Sequence, residues 1–434
     1  MGLAIRHTSR RQRLTGIRQR WQKVVLLAAC VGLITALVVS GFEFVVINLL
    51  LPRVFDLPLT ALVLCPALGL LLNFAILRYL PPGRSTPATS DAYIATFHDP
   101  QRRLQLRRLL PRVLGGAVTL GLGGAMGLEG PSLYSGAVIG STLQRRFKSL
   151  FASDERNLLL VAGAAAGVAA IFKAPATGVI FSLEVPFRTD VARRALVPAL
   201  VAAAVSYITF VSISGTEPLF AANGSPAFDL RDIGGAVLIG LLAGGLARAF
   251  AFMLQVAKSL PRRINPVLAV LIAGTVLAAL ALLTNHLFDS PLSVGPGYRA
   301  VQWAMDPRRA VGAVTTLFVL RAIATAATVG GGGTGGLFIP LVIQGTLLGR
   351  VVGNVIGVQS SSLFPMIGLA AFLGAGYRTP LAGIVFVAEA SGRAAFVVPA
   401  LIAAAVAELV IGAASVSPYQ RSDRDAPLPG SMQQ

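Results

Sequence analysis

The sequence predicts an all-α integral membrane protein, an inverted-repeat bundle of tilted and partly broken helices, on three observations. Composition is the first. Of 434 residues, 55% are hydrophobic and 13% charged, with a mean hydropathy of +0.74, which excludes an ordinary soluble domain. The second is a series of apolar stretches at roughly 24–52, 59–80, 113–143, 157–185, 195–215, 233–257, 265–288, 309–327, 336–358, 363–391 and 394–416. Several exceed the ~20 residues that cross a hydrocarbon core. The third is an internal repeat. The run from Phe172 to Glu184 reads almost position for position like the run from Tyr377 to Glu389. Upstream, Gly127-Leu128-Glu129-Gly130-Pro131 is followed by Gly136 and Gly140, as Gly336-Leu337-Phe338-Ile339-Pro340 is followed by Gly345 and Gly349.

Each segment follows in order. Residues 1–23 read as a basic cytoplasmic segment, because Arg6, Arg10, Arg11, Arg13, Arg18, Arg20 and Lys23 stand there without an acid. A second basic run, Arg102, Arg103, Arg107, Arg108 and Arg112, precedes the 113–143 stretch. The net charge of +19 is therefore read as positive-inside bias beside anionic lipid. No aromatic interleaving or folded module points to nucleic acid. The apolar stretch from Val24 is too long for a cleaved signal peptide. A first membrane half is expected over 24–213, interrupted by the turn-forming Pro81-Pro82-Gly83-Arg84-Ser85-Thr86-Pro87. An inter-half loop, 214–232, follows, and its Asn223-Gly224-Ser225 before Pro226 reads as a turn rather than a glycosylation site. The second half covers 233–420 and a polar tail 421–434, with no cytoplasmic regulatory domain expected.

Cys30 and Cys65 lie in apolar stretches and read as buried small hydrophobes. His7, His98 and His286 are isolated, so neither metal nor cofactor is expected. The Gly330–Gly335 run contains a formal GxGxxG without a βαβ unit around it. It reads as a flexible loop. Mirrored Glu184 and Glu389 are expected to satisfy backbone or neighbouring helix groups, and mirrored Lys173 and Arg378 to end helices by snorkelling.

The chemistry concentrates in the two broken segments. Proline suits the first turn of a helix, where its missing N–H costs nothing. Pro131 and Pro340 thus each start a helix in mid-membrane, and the residues before them offer unpaired amides at the positive end of a helix dipole. Gly127, Leu128 and Gly130 in one half, with Gly336, Leu337, Phe338 and Ile339 in the other, form an anion site made of main chain. Glu129 lies inside it, and an intramembrane acid is a functional candidate by default. Its carboxylate can occupy the ion position and leave when protonated, as a gate, a proton carrier or both.

These residues resemble the CLC family of chloride channels and chloride/proton antiporters. Gly127–Pro131 resembles its GxEGP motif and Gly336–Pro340 its GxFxP motif, and the likeness runs from about residue 24 to 420. It implies a CLC-like fold and a homodimer with one anion pathway per subunit. It also implies amides near Gly130, Phe338 and Ile339 that coordinate the anion, with Glu129 as the gating glutamate. A multi-pass protein of a prokaryotic inner membrane is expected, moving chloride or a related small anion, with protons as a further partner.

Three departures refine this. The family's GSGIP motif aligns with Gly83-Arg84-Ser85-Thr86-Pro87, putting Arg84 where the family has an anion-touching serine; Ser85 substitutes only if the loop shifts by one residue. The inner proton glutamate expected after Glu184 is Val185. The pore tyrosine falls on Tyr419, or on Ser417 in another alignment. Because a valine cannot relay protons, a voltage- or proton-gated passive channel or uncoupled carrier is favoured over an antiporter. A non-transporting sensor or scaffold, plugged by Arg84, is the rival of a different class. An intramembrane enzyme lacks any GxSxG or HExxH constellation.

Overall fold

A computed structural model describes residues 2–80, 86–152, 155–220, 229–358 and 362–422, with side chains from residue 19 onward except 262. The basic N-terminal segment and the first span form one helix, α1 (Gly2–Glu43). A π-helical turn, Phe44–Leu50, continues it into α2 (Leu51–Phe55). Next come α3 (Leu59–Leu62) and α4 (Cys65–Tyr79), then α5 (Ser90–His98) and α6 (Leu109–Gly121). The 113–143 stretch is not one helix. Its chain turns at Gly123, where φ is +100°, and restarts as α7 (Glu129–Arg146). The first half closes with α8 (Leu158–Phe172), α9 (Pro175–Glu184) and α10 (Leu196–Ser214).

The second half opens with α11 (Leu230–Arg263), whose N-terminus is capped by the Asp229 side chain accepting from the Asp232 amide. Asn265 caps α12 (Pro266–Phe288) in the same way. It continues through α13 (Tyr298–Met305), α14 (Val311–Gly330), α15 (Phe338–Ile356), α16 (Leu363–Tyr377), α17 (Pro380–Ser391) and α18 (Val397–Ile411). Among the described residues, eight helical stretches are long and apolar enough to cross a membrane. The chain is a multi-pass membrane protein. The Asn223-Gly224-Ser225 turn lies outside the described residues.

The repeat governs the packing. In the first half α7 lies against α8, and in the second α15 lies against α16. At the crossings a methyl on Gly136 would overlap the Gly163 carbonyl, and one on Gly345 the Gly368 carbonyl. Gly140 meets the Leu159 carbonyl and Gly349 the Phe364 carbonyl likewise. The glycines five and nine residues past each proline therefore let two backbones touch, the usual basis of close helix association where lipid supplies no hydrophobic drive.

A pseudo-two-fold axis runs between the halves. Gly127 N–H donates to the Gly336 carbonyl (2.9 Å) and Gly336 N–H to the Gly127 carbonyl (2.8 Å). Matched glutamates then exchange helix caps. Glu184, at the end of α9, accepts from the Leu381 and Ala382 amides at the start of α17 (3.3 and 2.9 Å). Glu389, near the end of α17, accepts from the Ala176 and Thr177 amides at the start of α9 (2.9 and 2.7 Å) and from the Thr177 hydroxyl. The expected structural role of both glutamates is thereby observed.

Three expectations are corrected. Cys65 is buried, whereas Cys30 is exposed on the outer side of α1, since a membrane helix turns apolar residues towards lipid as readily as towards protein. The Gly330–Gly335 run is no loose loop. Asn73 Nδ2 donates to the Gly332 carbonyl, Thr334 N–H to Thr119 Oγ1, and Thr334 Oγ1 to Asn73 Oδ1, so buried polar groups pin it. Lys173 and Arg378 do end α8 and α16, both with left-handed backbone (φ 52° and 55°). Their charged ends bind protein instead of snorkelling: Lys173 donates to the Ser214 carbonyl, and Arg378 to the Gly412 carbonyl and the Glu408 carboxylate.

Candidate anion site

The N-termini of α7 and α15 meet at the axis. Glu129 stands in the first turn of α7 and is 1% exposed. Its Oε1 accepts a hydrogen bond from the Phe338 amide, across the axis, at 2.6 Å. The Ile339 amide and Glu129's own amide also point at this carboxylate. Oε2 has no hydrogen-bond partner among the described residues. Gly127 and Gly336 leave the room: a Cβ on either would strike the Glu129 carboxylate. A Cβ on Gly130 would meet the Gly335 carbonyl and Thr89 Oγ1. A buried carboxyl thus occupies a cradle of amides at the positive ends of two helices, the arrangement in which a small anion would be held.

The expected lining residues divide into two groups. Phe338 and Ile339 aim their amides at the site, while the Gly127 and Gly336 amides are donated to each other. Those two glycines supply space rather than hydrogen bonds, a correction to their expected role. The Phe338 ring is fully buried among Phe172, Phe181 and Phe386, at centroid distances of 4.5, 5.2 and 4.8 Å.

A cavity of about 680 Å³ opens beneath the site. The buried Thr89, Ser90, Gly336, Leu337 and Tyr377 line it, together with the exposed Arg78 and the half-buried Lys258 and Tyr419. Tyr419 is half-buried there with the Arg102 guanidinium 5.7 Å from its ring centre. Ser417 is buried, and its Oγ accepts from the Tyr419 amide. Arg84 and Ser85 lie outside the described residues.

Sequence reasoning missed three residues. Thr89 precedes the first turn of α5 and, rather than capping it, donates from Oγ1 to the Gly335 carbonyl at 3.0 Å, beside Gly130. Ser90 follows it, buried. Tyr377 is buried at the end of α16, with its hydroxyl beside the Ser90 side chain and the Leu337 backbone. Arg112 anchors the approach to this turn by donating to the Thr86 carbonyl and hydroxyl. Two signals were available: Thr89-Ser90-Asp91 is a helix-start pattern, and Tyr377 puts a hydroxyl where the repeat has Phe172.

Fold and site define a membrane protein of inverted repeats around a buried, backbone-lined centre. The family model described as voltage gated chloride channel matches residues 68–412, and the chain belongs to this CLC family. Three solved structures share its fold. A CLC-type fluoride/proton antiporter is 25% identical with a TM-score of 0.80, over 92% of this chain and 98% of that one. A slow cyanobacterial Cl-/H+ antiporter is 23% identical with a TM-score of 0.78, over 90% and 94%. A eukaryotic CLC transporter is 21% identical with a TM-score of 0.74, over 91% and 73%.

Proposed function

We propose that the protein exchanges chloride or a related small anion, fluoride included, for protons, with Glu129 as both gate and proton carrier. One observation carries this reading. The Glu129 carboxylate sits on the Phe338 amide in a buried cradle of helix N-termini. As an anion it competes with the transported ion for those amides; protonated, it loses its hold on them and yields the place. An ion and a proton then exchange through one group. The amides binding the anion are those of Phe338 and Ile339, with Tyr419 nearer the cytoplasm. A homodimer in a prokaryotic inner membrane is part of the proposal.

Val185 favours a second reading, passive conductance, since it stands buried where a proton glutamate was expected. The likeness to a fluoride/proton antiporter at 25% identity supports coupled exchange instead, and the preference drawn from Val185 alone is given up. Purified protein in liposomes tests both. With an imposed chloride or fluoride gradient, protons are expected to move uphill. Glu129→Gln, which cannot ionise, is expected to abolish proton movement while anions still leak. Anion flux with no proton movement in the wild type would leave the passive reading. Absence of flux for either ion would leave the sensor or scaffold.

A further inference from the structure

A second cavity, of about 300 Å³, shares no lining residue with the one beside Glu129. It lies between the end of α5, the start of α8 and the turn before α10. Two helix N-termini adjoin it: Asn157 and Leu158 begin α8, and Arg194 and Ala195 lead into α10. The Asn157 side chain does not cap its helix, because it donates to the Phe97 carbonyl at 2.7 Å. The positive ends of two helices therefore meet at one space. Side-chain charge adds to them. Arg156 lines the cavity, reaches the Phe97 carbonyl at 3.5 Å and has no carboxylate partner among the described residues. Arg194 lines it as well. Glu155, the acid on this wall, is held by Arg20 (2.8 Å) and the Ala152 amide (2.9 Å).

His98 gives the cavity its chemistry. It is 7% exposed, lines the space, and packs edge to face against Phe97 and Phe187 with ring centres 5.1 Å apart. Its Nε2 donates to the Pro186 carbonyl at 2.5 Å. A carbonyl only accepts, so the neutral ring keeps its lone pair on Nδ1. Nδ1 has no hydrogen-bond partner among the described residues. Burial, with repulsion from Arg421 and Arg156, pushes this imidazole down to about 4 and keeps it neutral. A buried acceptor among positive groups calls for an anion that still carries a proton. Sulfate and phosphodiesters have none to give, whereas a phosphate monoester keeps one up to about pH 6. We infer that this cavity binds a protonated phosphate group, whose hydroxyl donates to His98 Nδ1 while its other oxygens accept from Arg156 and the α8 amides. The span that begins at Arg193 puts the cavity where a span meets water, within reach of both a free phosphate and a lipid phosphomonoester.

Titration calorimetry on the purified full chain in detergent, at about pH 6 and constant ionic strength, tests the free ion. Inorganic phosphate is expected to bind, and sulfate to bind about tenfold more weakly or worse, since it leaves the acceptor unpaired. His98→Phe keeps the ring packing and removes the acceptor; Arg156→Ala removes the exposed cation. Each is expected to weaken phosphate binding about tenfold, and Arg156→Ala decides should His98→Phe misfold. Thermal unfolding in phosphatidylcholine vesicles tests the lipid source, with phosphatidic acid compared against the diester phosphatidylglycerol. Stabilisation by phosphatidic acid alone, lost in Arg156→Ala, assigns the site to a lipid headgroup; binding of inorganic phosphate in detergent assigns it to the free ion. The inference is overturned by three results: neither probe binding, sulfate binding as well as phosphate, or phosphate binding that Arg156→Ala leaves intact. None of these measurements involves flux, so coupled exchange stands or falls separately.

Discussion

Gly127–Pro131 and Gly336–Pro340 start helices of the same geometry from either side of one axis, yet the first carries Glu129 where the second carries Phe338. Their backbones are interchangeable, down to the reciprocal bonds between Gly127 and Gly336. Their side chains are not. Phe338 closes its position with aromatic contacts to Phe172, Phe181 and Phe386. Glu129 fills its own with a carboxylate that reaches across to the Phe338 amide. The same divergence separates Phe172 from its counterpart Tyr377, which alone of the two brings a hydroxyl to the cavity. The two halves thus share the groups that build the frame and differ in the side chains where the two helix starts meet. A symmetric scaffold acquires a direction in this way: apolar rings pack one matched position and hydroxyls line the other.

If the frame is truly shared, damage to it should be equally severe in both halves. Gly136→Val and Gly345→Val are each expected to abolish well-folded protein, because the new side chain would run into a backbone carbonyl that cannot turn aside. Gel filtration after detergent extraction checks this. A monodisperse Gly345→Val beside an aggregated Gly136→Val would show that the second half tolerates what the first does not.

The exchanged caps give a smaller and unequal effect. Glu184→Ala and Glu389→Ala each strand two amides at the start of the opposite short helix, at about 1–3 kcal/mol for a buried unsatisfied group. Glu184 is 6% exposed whereas Glu389 is half-buried, so water can replace the second carboxylate more readily. Thermal unfolding in detergent should fall further for Glu184→Ala. Equal losses would mean that both caps are equally dry.

The smallest effect belongs to the end of α5 in the first half, outside the spans. His98, at the end of α5, donates from Nε2 to the Pro186 carbonyl and is pushed down from 6.5 to about 4, chiefly by burial, with Arg421 and Arg156 adding repulsion. The unfolded chain therefore binds this proton more readily. The imidazole's contribution is fully present above pH 6.5 and is lost as pH falls towards 4. His98→Gln, which cannot titrate, should flatten that part of the stability profile; an unchanged slope would assign it to other groups.

Several of these features were legible in residue order and others were not. Glu129 stood out because an acid between glycines, ahead of a proline, is rare inside an apolar stretch. The Glu184 and Glu389 caps were readable as structural from their mirrored places. Thr89, Ser90 and Asp91 were passed over because Pro87 drew the alignment to Gly83–Pro87, while the helix that faces the centre starts three residues later. Cys30 was misjudged because hydropathy cannot tell a lipid-facing position from a protein-facing one.

Sequence alone determined the membrane setting, the duplication, the two helix breaks and the acid within one of them. These follow from apolar length, local backbone chemistry and repeated spacing, all of which are properties of neighbours in the chain. Only the tertiary structure decided what Glu129 touches, which glycines give space instead of amides, and which residues line the adjoining cavity. Glu129 and Phe338 are 209 residues apart, and Asp91 and Lys258 are 167. Such contacts arise when two halves close around an axis, and no local rule of chain geometry specifies them.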